Sequence, residues 1–329
     1  MKKEIIKVVM VTITINIFMI VISYSILRNH PSTNKVQAEE KSKAQNVLNI
    51  AGDNIARIYI SDTGNILELN VEEYVACVVA SEMPANFNSE ALKAQAIAAR
   101  TYYYAKRENK CSNGKEADIC DGTHCQAFDT KEEILQKWPD SKKEEYWNKI
   151  NDAVSDTKGK VLVYEGQLIQ YPQYFATSWG KTETKEGVPY LVSTESKGEE
   201  IAPKYKSEVR YAVNAFIDKL KNEYNIENID SNNLMAYINI QSYTKGGAVK
   251  DIKIGDKVIP GINFRSTFGL NSTNFQINVE GNEVIISCIG YGHGIGMSQW
   301  GAEVMAREGK NYEDILKHYY KNIDIYEVN

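Results

Sequence analysis

The stretch VVASEMP, residues 78–84, ends an apolar run on a single carboxylate, Glu82. Asn70 and Glu73 have the spacing of a helix N-cap and its third helical residue, and Tyr74, Val75, Val78 and Val79 follow at helical intervals. The same stripe continues onto Glu82, so its side chain leans toward a buried or cleft face. Pro84 disfavours helical geometry at Met83 and leaves Glu82 in the final turn. The negative end of the helix dipole and partial desolvation both oppose an ionised carboxylate there. A raised pKa is expected, the condition under which a carboxyl serves as general acid near neutral pH. On these residues alone a plainer reading stays open: Glu82 frays into solvent or pairs with an arginine such as Arg100.

Two further clusters could carry chemistry. Cys111, Cys120, His124 and Cys125 fall in the order C-x8-C-x3-H-C. Four such ligands suit a closed, tetrahedral, structural zinc site. A disulfide, for example Cys120 with Cys125 or Cys111, competes outside the cell. Zinc is preferred because it also accounts for His124. Cys77 and Cys288 sit in apolar segments and read as buried thiols. Near the C-terminus, residues 290–301 read GYGHGIGMSQWG. Glycines this dense after a strand imply backbone held close to a ligand or in conformations closed to other residues, or else a tight packing turn with a satisfied His293. The spacing lacks the third glycine of a dinucleotide fingerprint.

These groups need elements to position them. Ile55–Ile60 and Ile66–Leu69 flank DTGN and predict a hairpin leading into the Glu82 helix. A second helix, capped by Asn88 or Ser89, carries Leu92, Ala96, Ala99 and Tyr103 on its apolar face, so Glu82 sits at an elbow. Polar helical sequence spans 131–154, strands are expected at 161–164 and 168–176, and a helix at 208–224. Strands at 249–254, 275–279 and 284–289 precede a helix starting near Ser298 and another at 312–320. Mixed elements without regular βαβ alternation predict an α+β fold with antiparallel strands in one or two closely packed lobes.

The chain has 329 residues and a formal net charge of -5, with no basic block that would suit nucleic acid. Residues 8–27 carry no charge and are long enough to span a bilayer, and Lys2, Lys3 and Lys7 precede them. The reading is therefore a cytoplasmic 1–7, a transmembrane anchor 8–27, a flexible linker 28–54 and an extracytoplasmic domain 55–329. A cleaved signal peptide is disfavoured by the length of the apolar run.

The segments EEYVACVVASEMP, EALKAQAIAARTYY, CDGTHCQAF, YFATSWGKTE and GYGHGIGMSQWGAEVMA, in this order, resemble the stage II sporulation protein D family, over about residues 55–326. The resemblance implies a peptidoglycan lytic transglycosylase of forespore engulfment, anchored in the mother-cell membrane and facing the intermembrane space. It would act on denuded glycan strands with a membrane-anchored amidase and a polytopic membrane protein as partners. It implies Glu82 as catalytic acid, and Ser178, Gly180, Lys181, Thr182, His293, Gly294, Gly296, Ser298 and Gln299 as substrate cleft. Trp179 stands where the family usually has a small residue, and Glu183 is the nearest motif-linked carboxylate that could assist. The rivals are a non-catalytic peptidoglycan-binding scaffold and a zinc hydrolase; the second needs an open coordination position that a four-ligand site lacks.

Overall fold

The computed structural model describes residues 47–328 except 51, 123 and 124. The predicted anchor at 8–27, most of the predicted linker, and His124 therefore lie outside the described residues. Among the described residues no helix is long and apolar enough to cross a membrane. Leu48 and Ile50 already pack against the first of two hydrophobic cores.

The predicted hairpin is present: Ile55–Tyr59 pairs antiparallel with Ile66–Asn70, Ile55 opposite Asn70 and Tyr59 opposite Ile66. Gly64, at φ 73°, supplies the left-handed residue of its turn. Ile119–Cys120 adds in parallel to the other edge of Ile55–Tyr59, which brings the cysteine loop to the same end. Helix α1, Val71–Glu82, follows directly. Its Asn70 cap accepts from the Glu72 amide at 2.9 Å, and the expected reciprocal box with Glu73 does not form. Glu72 instead grips Arg100, as described below. The α1 helix ends at Glu82, with Met83 extended before Pro84.

Helix α2, Ser89–Glu108, is capped by Asn88 and buried on several sides at once. Its small residues Ala91, Ala94, Ala96, Ala98 and Ala99 allow that, because neighbours approach close to the backbone. It packs against α1, against α4 (Lys143–Asp156) and against the strand Lys160–Tyr164. The α3 helix, Lys131–Lys137, precedes α4 and carries a full capping box, Thr130 with Glu133. Arg100, fully buried in α2, donates from Nε to Glu72 at 2.9 Å and from Nη2 to the other carboxylate oxygen, with Nη1 on the Lys160 carbonyl at 3.1 Å. This fork fastens α1, α2 and the Lys160–Tyr164 strand together. It also disposes of one alternative for Glu82, since Arg100 is engaged elsewhere.

The second core belongs to residues 213–288. Here Lys206–Ala212 and Phe275–Glu280 flank Glu283–Ile289, and a second antiparallel sheet sets Val249–Ile254 between Ile238–Tyr243 and Lys257–Pro260. The helices α5, Val213–Tyr224, and α6, Gly261–Phe268, pack inside, with Phe216, Phe264, Phe268 and Phe275 in successive ring contacts. Each fully buried phenylalanine contributes about 1.5–3 kcal/mol of transfer free energy. The helix predicted from Glu208 begins only at Val213, because residues 206–212 alternate exposed and half-buried with a period of two and pair as an edge strand. The strand predicted at 168–176 is two short pieces, Gln167–Leu168 and Tyr174–Phe175. After the second core the chain returns to the first through the glycine segment, α7 (Gln299–Arg307), α8 (Tyr312–Tyr319) and the strand Ile323–Val328, which pairs with Lys160–Tyr164. The architecture is α+β.

Candidate active site

Glu82 lines a cavity of about 660 Å³ whose wall also includes Tyr102, Gln126, Ala127, Tyr174 and His293. The carboxyl is held at both oxygens: the Ala127 amide donates to Oε1 at 2.7 Å and the Gln299 side-chain amide to Oε2 at 3.2 Å. Burial raises the Glu82 pKa, while the Ala127 and Gln299 donors pull in the opposite direction. The carboxyl therefore keeps its proton to higher pH than a solvated glutamate, yet its ionised form already has donors in place.

The loop that delivers Ala127 is fastened at three points. Asp121 accepts from the Ser61 amide and hydroxyl, Asp129 and Ser81 exchange hydrogen bonds, and the Gln126 amide donates to the Tyr74 hydroxyl at 2.7 Å. The Tyr174 hydroxyl donates to Gln126 Oε1, also at 2.7 Å. A buried amide bridging two phenols fixes both the loop and the phenol facing the acid. His293 is neutral: burial pushes it down to about 4, its Nδ1 accepts from the Ile295 amide at 3.1 Å, and the Tyr174 carbonyl pulls the other way. It contributes a shaped, uncharged wall.

Of the substrate-cleft set implied by family resemblance, His293 forms part of this wall and Gln299 bonds the acid directly. Ser178 and Ser298 are fully buried outside it. Both donate to Glu199, Ser178 from its amide and hydroxyl at 2.7 Å each and Ser298 from its hydroxyl at 2.6 Å. Glu199, whose pKa burial raises, also accepts from Ser196. Ser298 is in turn the N-cap of α7, so the buried Glu199 cluster sets where Gln299, the first residue of that helix, begins. Thr182 is buried and accepts from the Thr194 amide, while Gly180, half-buried, and Lys181, exposed, form a short ribbon with Glu195–Ser196. At Gly294, φ 79°, a β-carbon would lie 2.4 Å from the Trp179 ring, and at Gly296, φ 81°, 1.9 Å from the Gln173 carbonyl oxygen. Trp179 thus occupies the space that Gly294 leaves, and its Nε1 donates to the Gly246 carbonyl at 2.9 Å. Glu183 is likewise committed: Thr244 donates to it at 2.6 Å, it lies outside the cavity wall, and burial raises its pKa.

The sulfurs of Cys111, Cys120 and Cys125 lie within 4.8 Å of one another, with Cys111–Cys120 at 3.7 Å and Cys120–Cys125 at 3.5 Å. Those separations are far beyond a disulfide bond and close to the ~3.8 Å between thiolates sharing a tetrahedral zinc. Burial pushes the Cys125 thiol up to about 12, so a thiolate there needs a cation beside it. The donor set fits a zinc ion. Residues that sequence reasoning did not single out, Gln126, Ala127, Tyr174 and Glu199, act through an amide bridge, a backbone amide, a phenol and a buried anchor.

An α+β molecule with an acid held over an open cavity is the class these features define. Residues 59–164 match the SpoIID family model, described as a stage II sporulation protein. Over 278 residues the chain is 37% identical to stage II sporulation protein D of Bacillus subtilis (strain 168), covering 82% of this chain and 78% of that protein. The protein of the same name from Bacillus amyloliquefaciens is 36% identical over the same shares. The chain belongs to the stage II sporulation protein D family. A more distant relative, the Amidase enhancer of Bacillus subtilis, is 28% identical over 74% of this chain and 39% of that protein.

Proposed function

We propose that the protein is a lytic transglycosylase that cuts the bond from N-acetylmuramic acid to N-acetylglucosamine in peptidoglycan strands during engulfment. The observation that carries this is one carboxyl of raised pKa, held at both oxygens and facing a cavity wide enough for sugar rings. Protonated Glu82 gives its proton to the glycosidic oxygen as positive charge develops at the anomeric carbon. Hydrolases need a second carboxylate as nucleophile or water activator. The other two carboxylates on this wall are engaged, Asp121 by Ser61 and Asp129 by Lys137 at 2.6 Å and by Ser81. A single-carboxyl route is therefore favoured: ionised Glu82, stabilised by Ala127 and Gln299, takes the proton of the sugar's own C6 hydroxyl as that oxygen closes the 1,6-anhydro ring.

In the same proposal Cys111, Cys120 and Cys125, with His124 as fourth ligand, hold a structural zinc. Its chemistry would be to fix the loop that presents Ala127, with no part in bond cleavage. The anchor at 8–27, the extracytoplasmic placement and the amidase and polytopic partners belong to the same reading, and the Amidase enhancer relative supports a role at the wall. The test is incubation of denuded strands with the protein and with Glu82→Gln. Wild type should yield shortened strands and the variant should retain binding without cleavage; no products from wild type would leave a glycan-binding scaffold.

A further inference from the structure

A second cavity, of about 430 Å³, opens on the sheet of the second core, with Lys206, Glu208, Gln276, Ser287 and Ile289 among its lining residues. It is joined to the acid cavity by one continuous run of chain. Ser287, Ile289 and Tyr291 are exposed, Cys288 and Gly290 between them are buried, and the run ends at His293 in the wall of the acid cavity. Six residues of extended chain cover at most about 20 Å. The run is clamped along its length. Thr177 and Tyr291 exchange backbone hydrogen bonds at 2.9 and 2.7 Å, the Gly290 amide donates to the Tyr205 carbonyl at 2.7 Å, and the Gly292 amide to the Asn271 carbonyl at 3.0 Å. Gly290, at φ 85°, has no room for a side chain, since a β-carbon would lie 2.9 Å from the Thr177 carbonyl oxygen. The two cavities are therefore held in fixed register.

The chemistry along this run suits an anionic saccharide. Ile289 and Tyr291 offer apolar surface in the open, and Gln276 and Ser287 offer an amide and a hydroxyl. Lys204 lies 5.2 Å from the centre of the Tyr291 ring, and Lys206 stands at the second cavity. Glu208, the carboxylate at the second cavity, is turned to Arg210 at 2.7 Å, a guanidinium that also holds Glu283 at 3.0 Å. Two lysines spaced along an apolar track match a polymer whose carboxylates recur at intervals.

We propose that this track and the second cavity bind the glycan strand beyond the acid cavity, taking N-acetylated sugars on Ile289 and Tyr291 and the free lactyl carboxylates of denuded muramic acid on Lys204 and Lys206. This rests on the glycan-cleaving reading of Glu82. The strand crosses from the first core to the second without a conformational change, because the register is set in advance.

The test uses the detergent-solubilised full chain and denuded strands fractionated into tetrasaccharides and long strands. Lys206→Glu and Ser287→Trp each change the second cavity without touching the acid cavity. KM for long strands should rise about tenfold with Lys206→Glu, the scale of one exposed ion pair lost and reversed. Cleavage of tetrasaccharides should stay unchanged, and chitin oligosaccharides, which lack the lactyl carboxylate, should bind both proteins equally. Equal effects at both lengths, or no effect at either, would overturn the proposal. If wild type cleaves neither substrate, the reading of Glu82 fails instead. Retention of the uncut long strands by the protein then decides the track: a roughly tenfold loss with Lys206→Glu sustains it, and unchanged retention rejects it.

Discussion

Replacing Gln299 with leucine separates its contact with the acid from a contact with sugar. Gln299 is almost fully buried and donates to Glu82 Oε2 at 3.2 Å, a bond that favours the ionised carboxyl. Hydrogen bonds to charged groups contribute about 1.5–3 kcal/mol, and the length here together with the half-buried acid places this one near the lower end. Losing about 1.5 kcal/mol of stabilisation of the carboxylate alone is about tenfold in its protonation equilibrium. Glu82 then keeps its proton to higher pH. Activity that needs a protonated acid falls as pH rises through that pKa, so the alkaline limb of the rate profile should move up by about one pH unit. The same carboxylate, less stabilised, is formed at greater cost, so the maximal rate should also drop. The assay is initial rate of strand cleavage from about pH 4 to about 9, roughly from the ordinary glutamate value to the top of the range reached by buried glutamates. A raised KM with an unmoved limb would refute the assignment and make Gln299 a sugar contact.

Three further outcomes follow from the fold and the cysteine loop. Arg100→Met leaves Glu72 without the guanidinium that holds it; because that carboxylate is partly exposed, the loss should be about 3 kcal/mol, near the lower end for a broken buried pair, read from urea unfolding. Gly296→Ala forces a β-carbon onto the Gln173 carbonyl at positive φ and should cost about 2 kcal/mol or more, while Gly309→Ala, with open space around it but the same backbone sign, should cost less. Cys125→Ser should lower bound zinc from about one ion per chain and lower Tm, measured by metal analysis and calorimetry; unchanged Tm with no metal in either protein would remove the zinc proposal.

Local signals recovered the frame of the site. The apolar stripe with Pro84 placed Glu82 in the last turn of α1, Asn88 or Ser89 was readable as the cap of α2, the start of α7 was readable near Ser298, and glycine density marked a segment where Gly294 and Gly296 leave room for Trp179 and the Gln173 carbonyl. What escaped was carried by groups without a side-chain signature or by partners distant in sequence. Ala127 acts through its backbone amide, which any residue but proline supplies. Ser178 and Ser298 meet at Glu199 across 21 and 99 residues, a convergence that no spacing announces, so hydroxyls in the family motifs resembled substrate contacts although they face a buried carboxyl. The strand at 206–212 resembled the start of a helix because its half-buried Val209 and Tyr211 also suit helical periodicity when joined to α5.

The most direct measurement is cleavage of denuded strands in water enriched in oxygen-18, with mass spectrometry of the new muramic acid ends. The account predicts ends lighter by one water and free of label, since the C6 oxygen of the sugar closes the ring. Labelled, hydrolysed ends would show that a water is activated in this cavity, and the single-carboxyl chemistry assigned to Glu82 would be wrong.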